Sequence, residues 1–392
     1  MTRILAGPSM TQMLGDLGAD VIKIERPREG DDTRKWGPPY LRGADGRDTS
    51  ESGYFLAANR NKRSVAIDFT RPEGRALVEK LVARSDVLTE NYKVGTLARY
   101  GLGFEDLRKI KPGLVYCSIT GFGQTGPYAP RAGYDLLAQA IGGIMSITGE
   151  PDRDPVKVGV GVADLMAGMY AAVAILGALR HRDMSGEGQL IDIALLDTQV
   201  AWLVNEGENY LMTGKVPGRR GTAHSLVVPY QVFPTADGYA ILACGNDGQF
   251  QKFCEFAGRP ELAADKHYAT NEDRAANRDT LIPLVRAIMK AKPSAHWIDG
   301  LAPLNVPCSP VNTLDKVFAD PQVRSRGMVV EMAHGLAAEP LKLIANPIKM
   351  SATPPEYRHA PPYLGQHTDE VLRDVLDLSA EEIAELRAKE IV

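Results

Sequence analysis

Ile4-Leu5-Ala6-Gly7-Pro8, then Ser9 to Leu17, then Gly18-Ala19-Asp20 and Val21-Ile22-Lys23-Ile24-Glu25, is the stretch that decides the fold. Ser9 to Leu17 reads as a short helix, Gly18 punctuates its end, and Val21 to Glu25 alternates as a strand. With Thr2 to Leu5 as a first strand, this is a βαβ unit whose helix opens on a Gly-containing turn. The first strand is short. No G-x-G-x-x-G run is present, so a nicotinamide dinucleotide is not supported.

The same alternation continues. Ser64 to Asp68, Asp86 to Asn91 and Leu114 to Ser118 read as strands, and Pro72 to Arg84 as a helix with Pro72 and Glu73 in its first turn. Strands alternating with helices predict an α/β fold with a parallel sheet covered on both faces. Ligands of such sheets bind beyond the carboxyl ends of the strands. Those ends carry Arg26, Asp68-Phe69-Thr70, Asn91-Tyr92-Lys93 and Thr120-Gly121-Phe122-Gly123. A single Lys or Arg is usually a solvated surface residue. Cations or amides at several ends suit an anionic, phosphate-bearing ligand.

Lys157-Val158-Gly159-Val160-Gly161-Val162-Ala163-Asp164 places one carboxylate in a glycine-rich apolar run. The Val/Gly alternation predicts an extended segment, and Leu165 to Leu179 a helix. Asp164 then falls at a strand-to-helix turn. There it serves as a helix N-cap, or as a nucleophile or base kept ionised by the helix N-terminus; the two roles are compatible.

The chain of 392 residues, with net charge −4, predicts two domains and gives no sign of nucleic-acid or anionic-membrane binding. No signal peptide is expected, and Leu165 to Leu179 is too short to span a bilayer. Cys117, Cys244, Cys254 and Cys308 have no C-x-x-C spacing and read as reduced thiols of a cytoplasmic protein. The seven histidines are scattered, so no metal site is expected. Leu190 to Leu211 is helix-rich after a short strand, and Gly214 to Gly221 is a Gly/Pro linker. Tyr230 to Pro234 and Tyr239 to Cys244 then read as strands joined at Asp237-Gly238, with helices over Gln249 to Ala257 and Asp279 to Met289. Gly245-Asn246-Asp247 is a turn with an Asn or Asp cap, or a loop closing over a site.

Leu5-Ala6-Gly7-Pro8, Asp16 to Glu25, Asn59-Arg60-Asn61-Lys62-Arg63-Ser64, Glu90-Asn91-Tyr92, Ser118 to Pro127, Arg131-Ala132-Gly133-Tyr134-Asp135, Gly186-Glu187-Gly188-Gln189 and Leu364-Gly365-Gln366-His367-Thr368 together resemble the class III CoA-transferases, a family that includes the formyl-CoA and carnitine CoA-transferases and α-methylacyl-CoA racemase. The resemblance covers almost the whole chain. It implies a large Rossmann-like domain and a smaller α/β domain joined by two linkers, in an interlocked homodimer. Residues 1–200 would be the first part of the large domain, 201–224 a linker, 225–318 the small domain, and 319–392 the return to the large one. Family members usually carry a further strand ahead of this point. Its absence is expected to reflect a misassigned start or trimming, and to weaken the centre of the sheet rather than the chemistry.

The resemblance implies that Asp164 is the catalytic aspartate, which attacks an acyl-CoA to give a mixed anhydride and then an aspartyl-CoA thioester. CoA would lie against Leu5, Ala6, Arg26, Ile67, Thr70, Asn91, Tyr92, Lys93, Arg99, Arg131 and Tyr134. Gly121 or Gly245 would offer N–H groups to the oxyanion. The racemase branch has a histidine where this chain has Tyr134; a phenol with a pKa near 10 is unsuited to moving an α-proton. A tetraglycine loop of the formyl-CoA transferases is missing around Gly245. Gly221-Thr222-Ala223-His224-Ser225 and Val306 to Asn312 are similar to the branch acting on dicarboxylic acids, with succinyl-CoA as donor. Gly121, Arg219, Arg220, His224, Gly245 and Asn246 would then line the acyl and acceptor pocket. The reaction is expected to need no cofactor beyond the CoA substrate. An epimerase and a non-catalytic CoA-binding protein are the alternatives.

Overall fold

The computed structural model describes residues 1–392, which form two compact units. The first comprises Met1–Ile144, Lys157–Lys215 and Arg324–Val392; the second comprises Met145–Val156 and Val216–Val323. Residues 145–156 thus go with the second unit, although the sequence reading assigned them to the first.

In the first unit, α1 (Ala6–Asp16) leads to β1 (Val21–Glu25), α2 (Gly53–Ala57) and β2 (Lys62–Ala66). Next come α3 (Pro72–Arg84), β3 (Val87–Glu90), β4 (Val115–Thr120), α4 (Asp135–Ile141), α5 (Val162–Ser185), β5 (Leu190–Ala194), α6 (Leu195–Ala201) and α7 (Val204–Thr213). All strand pairing among β1 to β5 is parallel: β1 with β2 from Val21↔Lys62 to Glu25↔Ala66, and β3-β4-β5 through Val87↔Val115 and Tyr116↔Leu190. Every residue of β4 is buried. Its period-2 geometry turns Val115, Cys117 and Ile119 toward the α1/α5 layer, while Tyr116 joins the core formed by α3 and the C-terminal residues Val371, Leu372 and Ile383.

Three expectations are corrected. Thr2 to Leu5 forms no strand. As a result β1 and β3 each keep one unpaired edge, and the two parallel sheets are separate. Between those edges lies a cavity of about 440 Å³, lined by Met1, Val21 to Ile24, Val87 to Thr89, Leu81 of α3 and Ile175 of α5. The Val/Gly run before Asp164 also makes no strand; it is irregular chain. Finally, the apolar helix is not confined to Leu165 to Leu179. It spans 24 residues and is long and apolar enough, by length and composition, to cross a membrane. Here Ala163, Ala167, Ala171 and Ile175 pack in the protein core. The small side chains allow close approach to α1: a Cβ on Gly168 would lie 2.6 Å from the Ala6 carbonyl oxygen.

The second unit carries the antiparallel strands β6 (Tyr230–Pro234), β7 (Tyr239–Ala243) and β8 (Cys308–Pro310) in the order β8-β7-β6. Helices α8 (Asp247–Phe256), α9 (Arg278–Lys290) and α10 (Ser294–Leu301) supply Phe250, Phe253, Leu281, Val285 and Trp297 to its core. The linker expected over 201–224 is helical as far as Thr213, and Gly214 ends α7 in the left-handed conformation.

Candidate active site

Asp164 stands in the first turn of α5, not at its cap. The cap position is Gly161, which has no side chain to satisfy the first amides. A carboxylate from α4 does so instead. Asp135 Oδ1 accepts from the N–H of Ala163 at 2.8 Å and from that of Asp164 at 3.3 Å. Its Oδ2 accepts from Gln139 Nε2 at 2.6 Å, and Gln139 Oε1 accepts from the N–H of Val158 at 2.9 Å. The Asp164 carboxylate is thereby released from capping, and no protein donor stabilises it. Burial, aided by the like charge of Asp135, raises its pKa to about 7. This overturns the expectation that the helix N-terminus keeps Asp164 readily ionised, because Asp135 already occupies the amides that would have done so.

Asp164 lines a cavity of about 170 Å³ at the carboxyl ends of β3 and β4. Of the residues expected to hold CoA, Leu5, Ala6, Asn91, Tyr92, Lys93, Arg131 and Tyr134 line it, and so does Gly121. Arg26, Ile67 and Thr70 line an adjoining cavity of about 280 Å³, which shares Arg3 and Tyr92 with the first. Arg99 lines neither; it sits exposed on a single 3₁₀ turn. The contact that builds the rim is between two glycines. A Cβ on Gly133 would fall 2.2 Å from the Cα of Gly121, so only paired glycines let the 131–134 turn touch the end of β4. That contact delivers Tyr134 and Asp135 to the site.

Several lining residues are tied to the protein itself. The Asn91 side chain accepts from the N–H of Arg3 at 2.8 Å and donates to the Arg3 carbonyl at 2.7 Å, which fixes the entry to α1. Ile4 is held at φ 70°, a strained position for a β-branched residue. The Tyr92 ring packs edge-on against Phe69 and under the Arg3 guanidinium, and burial pushes its phenol to about 12. Tyr134 is exposed. The basic cluster before β2 faces inward. Arg60 is bidentate to Asp16 at 2.9 and 2.7 Å, and Lys62 Nζ donates to Pro8 O, Ala58 O and Asn59 Oδ1. These residues brace α1.

The residues expected at the acceptor pocket, other than Gly121, belong to the second unit. Arg219 donates to the carbonyls of Glu150, Pro151 and Arg153. His224 stacks on Tyr230 while its Nδ1 accepts from the N–H groups of Leu226 and Val227. Arg220 lies in the electrostatic field of Arg278. Asn246 caps α8 by accepting from Gln249, whose Oε1 takes the Gly245 N–H. These bonds engage Arg219 Nε and Nη2, His224 Nδ1 and Asn246 Oδ1.

Sequence reasoning missed Asp135, Arg3 and Tyr54 as site residues. Burial, with the charges of Asp164, Asp135 and Asp31, raises the Tyr54 phenol, which puts Tyr54 within electrostatic reach of the nucleophile candidate. Asp135 was visible in the Arg131 to Asp135 motif. Nothing in its spacing reveals that one helix caps another.

Comparison with known proteins agrees along the chain. Residues 1–368 match CoA-transferase family III. The succinate–glutarate CoA-transferase of Agrobacterium fabrum is 49% identical over 378 residues, covering 96% of this chain and 93% of its own. The human succinyl-CoA:glutarate CoA-transferase is 43% identical over 392 residues, covering 100% of this chain and 88% of its own. A crystal structure of a CAIB/BAIF family protein from Brucella suis superposes with a TM-score of 0.85 at 47% identity, covering 96% of this chain and 97% of the other.

Proposed function

We propose that this chain, which belongs to CoA-transferase family III, moves coenzyme A from succinyl-CoA to a small dicarboxylic acid through a covalent intermediate on Asp164. The relatives named for succinyl-CoA and glutarate support the donor and the acceptor class. The observation that carries the mechanism is the Asp164 carboxylate, half-buried at a strand-end cavity and given no hydrogen bond by the protein.

A carboxylate left in that condition is poorly stabilised and hence a stronger nucleophile. Its oxygen attacks the thioester carbonyl, the C–S bond breaks, and CoA leaves as thiolate. The thiolate then attacks the Asp164 carbonyl of the anhydride, which frees succinate and leaves aspartyl-CoA. The acceptor carboxylate attacks that thioester, and the steps run in reverse. A thioester is already activated, so the chemistry calls for no metal, flavin or nicotinamide. Gly121, Ala132 and Gly133 line the same cavity as Asp164, and their backbone N–H groups are the natural source of oxyanion donors. Leu5, Ala6, Lys93, Arg131 and Tyr134 would contact the CoA near the thioester, and Arg26, Ile67 and Thr70 its far end.

A homodimer belongs to the same reading. Met169, Tyr170, Val173 and Leu176 form an exposed apolar stripe along α5, with Leu136 and Leu137 exposed on α4. A second copy would cover such a surface. Four free cysteines support a reducing, cytoplasm-type compartment.

The test is a transfer assay with succinyl-CoA and a panel of acids including glutarate, hydroxymethylglutarate, malate, itaconate and oxalate, with Asp164→Ala in parallel. New CoA esters of a dicarboxylate, absent with the variant, support the proposal. Exchange of an α-proton without transfer to any acid contradicts it and favours the isomerases.

A further inference from the structure

The amides that open a helix are its anion-stabilising end. In α5 those amides lie at the nucleophile's own backbone, yet another carboxylate takes them. Asp135 reaches across from α4 and accepts from Ala163 and Asp164. Its second oxygen is held by Gln139, and the Gln139 carbonyl oxygen holds the N–H of Val158. Gln139 is fully buried. The chain Val158–Gln139–Asp135–Asp164 therefore clamps both ends of the 158–164 segment to one helix. It fixes the Asp164 backbone, and it also places a second negative charge beside the reacting one.

We propose that Asp135 is the positioning residue of this site: it holds the first turn of α5 in place and sets its own charge against that of Asp164, so that acylation of Asp164 relieves a repulsion built into the free enzyme. This rests on Asp164 being the nucleophile. When Asp164 becomes an anhydride or an aspartyl-CoA thioester it loses its charge, while the succinate or CoA that departs carries the charge away. The repulsion exists in the free enzyme and is gone in the covalent state. The free carboxylate is raised in energy relative to the intermediate, which favours acylation. The raised pKa of Asp164 agrees with this arrangement.

The decisive variant is Asp135→Asn. It keeps an oxygen acceptor for the two amides and removes the charge; its Nδ2 also replaces the oxygen that accepts from Gln139 Nε2, so the bond to Gln139 is lost with the charge. Asp135→Ala removes both, and Asp135→Glu restores the charge. Two readouts are needed. Infrared difference spectra, taken against Asp164→Asn, follow the Asp164 carboxyl through its titration in the free enzyme. Single-turnover mixing with succinyl-CoA, followed by mass, gives the rate and extent of adduct formation from pH 5 to pH 9.

In Asp135→Asn the Asp164 titration and the acid limb of the rate should move down by about one pH unit or more. The adduct should accumulate less, and the plateau rate should fall by about tenfold or more. Asp135→Glu should return the titration toward that of the unmodified protein. A purely structural cap would lower the rate without moving the titration. An unmoved titration in folded Asp135→Asn overturns the proposal, whatever the rate does. An unmodified enzyme that turns over without any adduct overturns the reading of Asp164 instead, and the infrared titration still decides the role of Asp135.

Discussion

Replacing Asp164 by Asn should make the protein more stable at pH 8 while abolishing transfer. The carboxyl that ionises near pH 3.8 in the unfolded chain ionises at about 7 in the folded one. Between those values the folded state holds a proton that the unfolded state has lost. Stability therefore falls as pH rises through this window and levels off above pH 7. Each pH unit within it is worth about 1.4 kcal/mol, or ~3 kcal/mol between pH 5 and pH 7. Asp164 keeps some solvent contact, which reduces the effect to about 1–2 kcal/mol. Asn has the same shape and no charge to lose. The gain in Tm for Asp164→Asn over the unmodified protein should be larger at pH 8 than at pH 5 by several degrees, at about 2–4 °C per kcal/mol for a domain of this size. Thermal unfolding followed by circular dichroism in matched buffers measures it. A gain of equal size at both pH values, or a loss at pH 8, refutes the claim that Asp164 is held against its own ionisation.

Other outcomes follow from the same structure. The first half-reaction needs ionised Asp164, so kcat/KM for succinyl-CoA should drop by about tenfold per pH unit below pH 7 and flatten above it; a profile level from pH 5.5 to 8.5 contradicts this. Gly133→Ala would force a methyl group to within 2.2 Å of the Gly121 Cα, so transfer should collapse and stability should fall by about 1–3 kcal/mol, read by assay and denaturant titration; unchanged activity would show that the 131–134 turn does not build the site. The unpaired edges of β1 and β3 face a cavity of about 440 Å³. Five apolar residues added ahead of Met1 should enter as a parallel strand, raise Tm and protect the amides of Val21 to Glu25 and Val87 to Glu90 from hydrogen exchange. No change in either quantity shows that the slot does not accept a strand.

The parallel sheets were legible because their signals are local. Val21 to Glu25 alternates, and Pro72 to Arg84 begins with Pro and keeps helical spacing. The Val/Gly run before Asp164 has the same surface pattern as a strand, but no neighbouring edge is there to pair with it; its Val158 N–H goes to Gln139 instead. Pairing is a tertiary fact, and alternation alone does not supply it. The site divides in the same way. Asp164 and the strand ends at Asn91 and Gly121 follow from the order of strands and from resemblance. The capping of α5 by Asp135, the bonds of Arg60 to Asp16 and of Lys62 to Pro8, and the engagement of Arg219 with three carbonyls join residues 28 to 69 positions apart. Arg219 and His224 were singled out for their side-chain chemistry; their hydrogen bonds to the 150–153 carbonyls and to the amides of Leu226 and Val227 had no signal in the sequence.

The covalent role of Asp164 is tested most directly by peptide mass analysis of the enzyme quenched during a single turnover with succinyl-CoA and no acceptor. Coenzyme A should be found joined as a thioester to the peptide containing Asp164, lost on adding a dicarboxylate and absent in Asp164→Asn. Transfer that proceeds with no adduct, or an adduct on any other residue, contradicts that role.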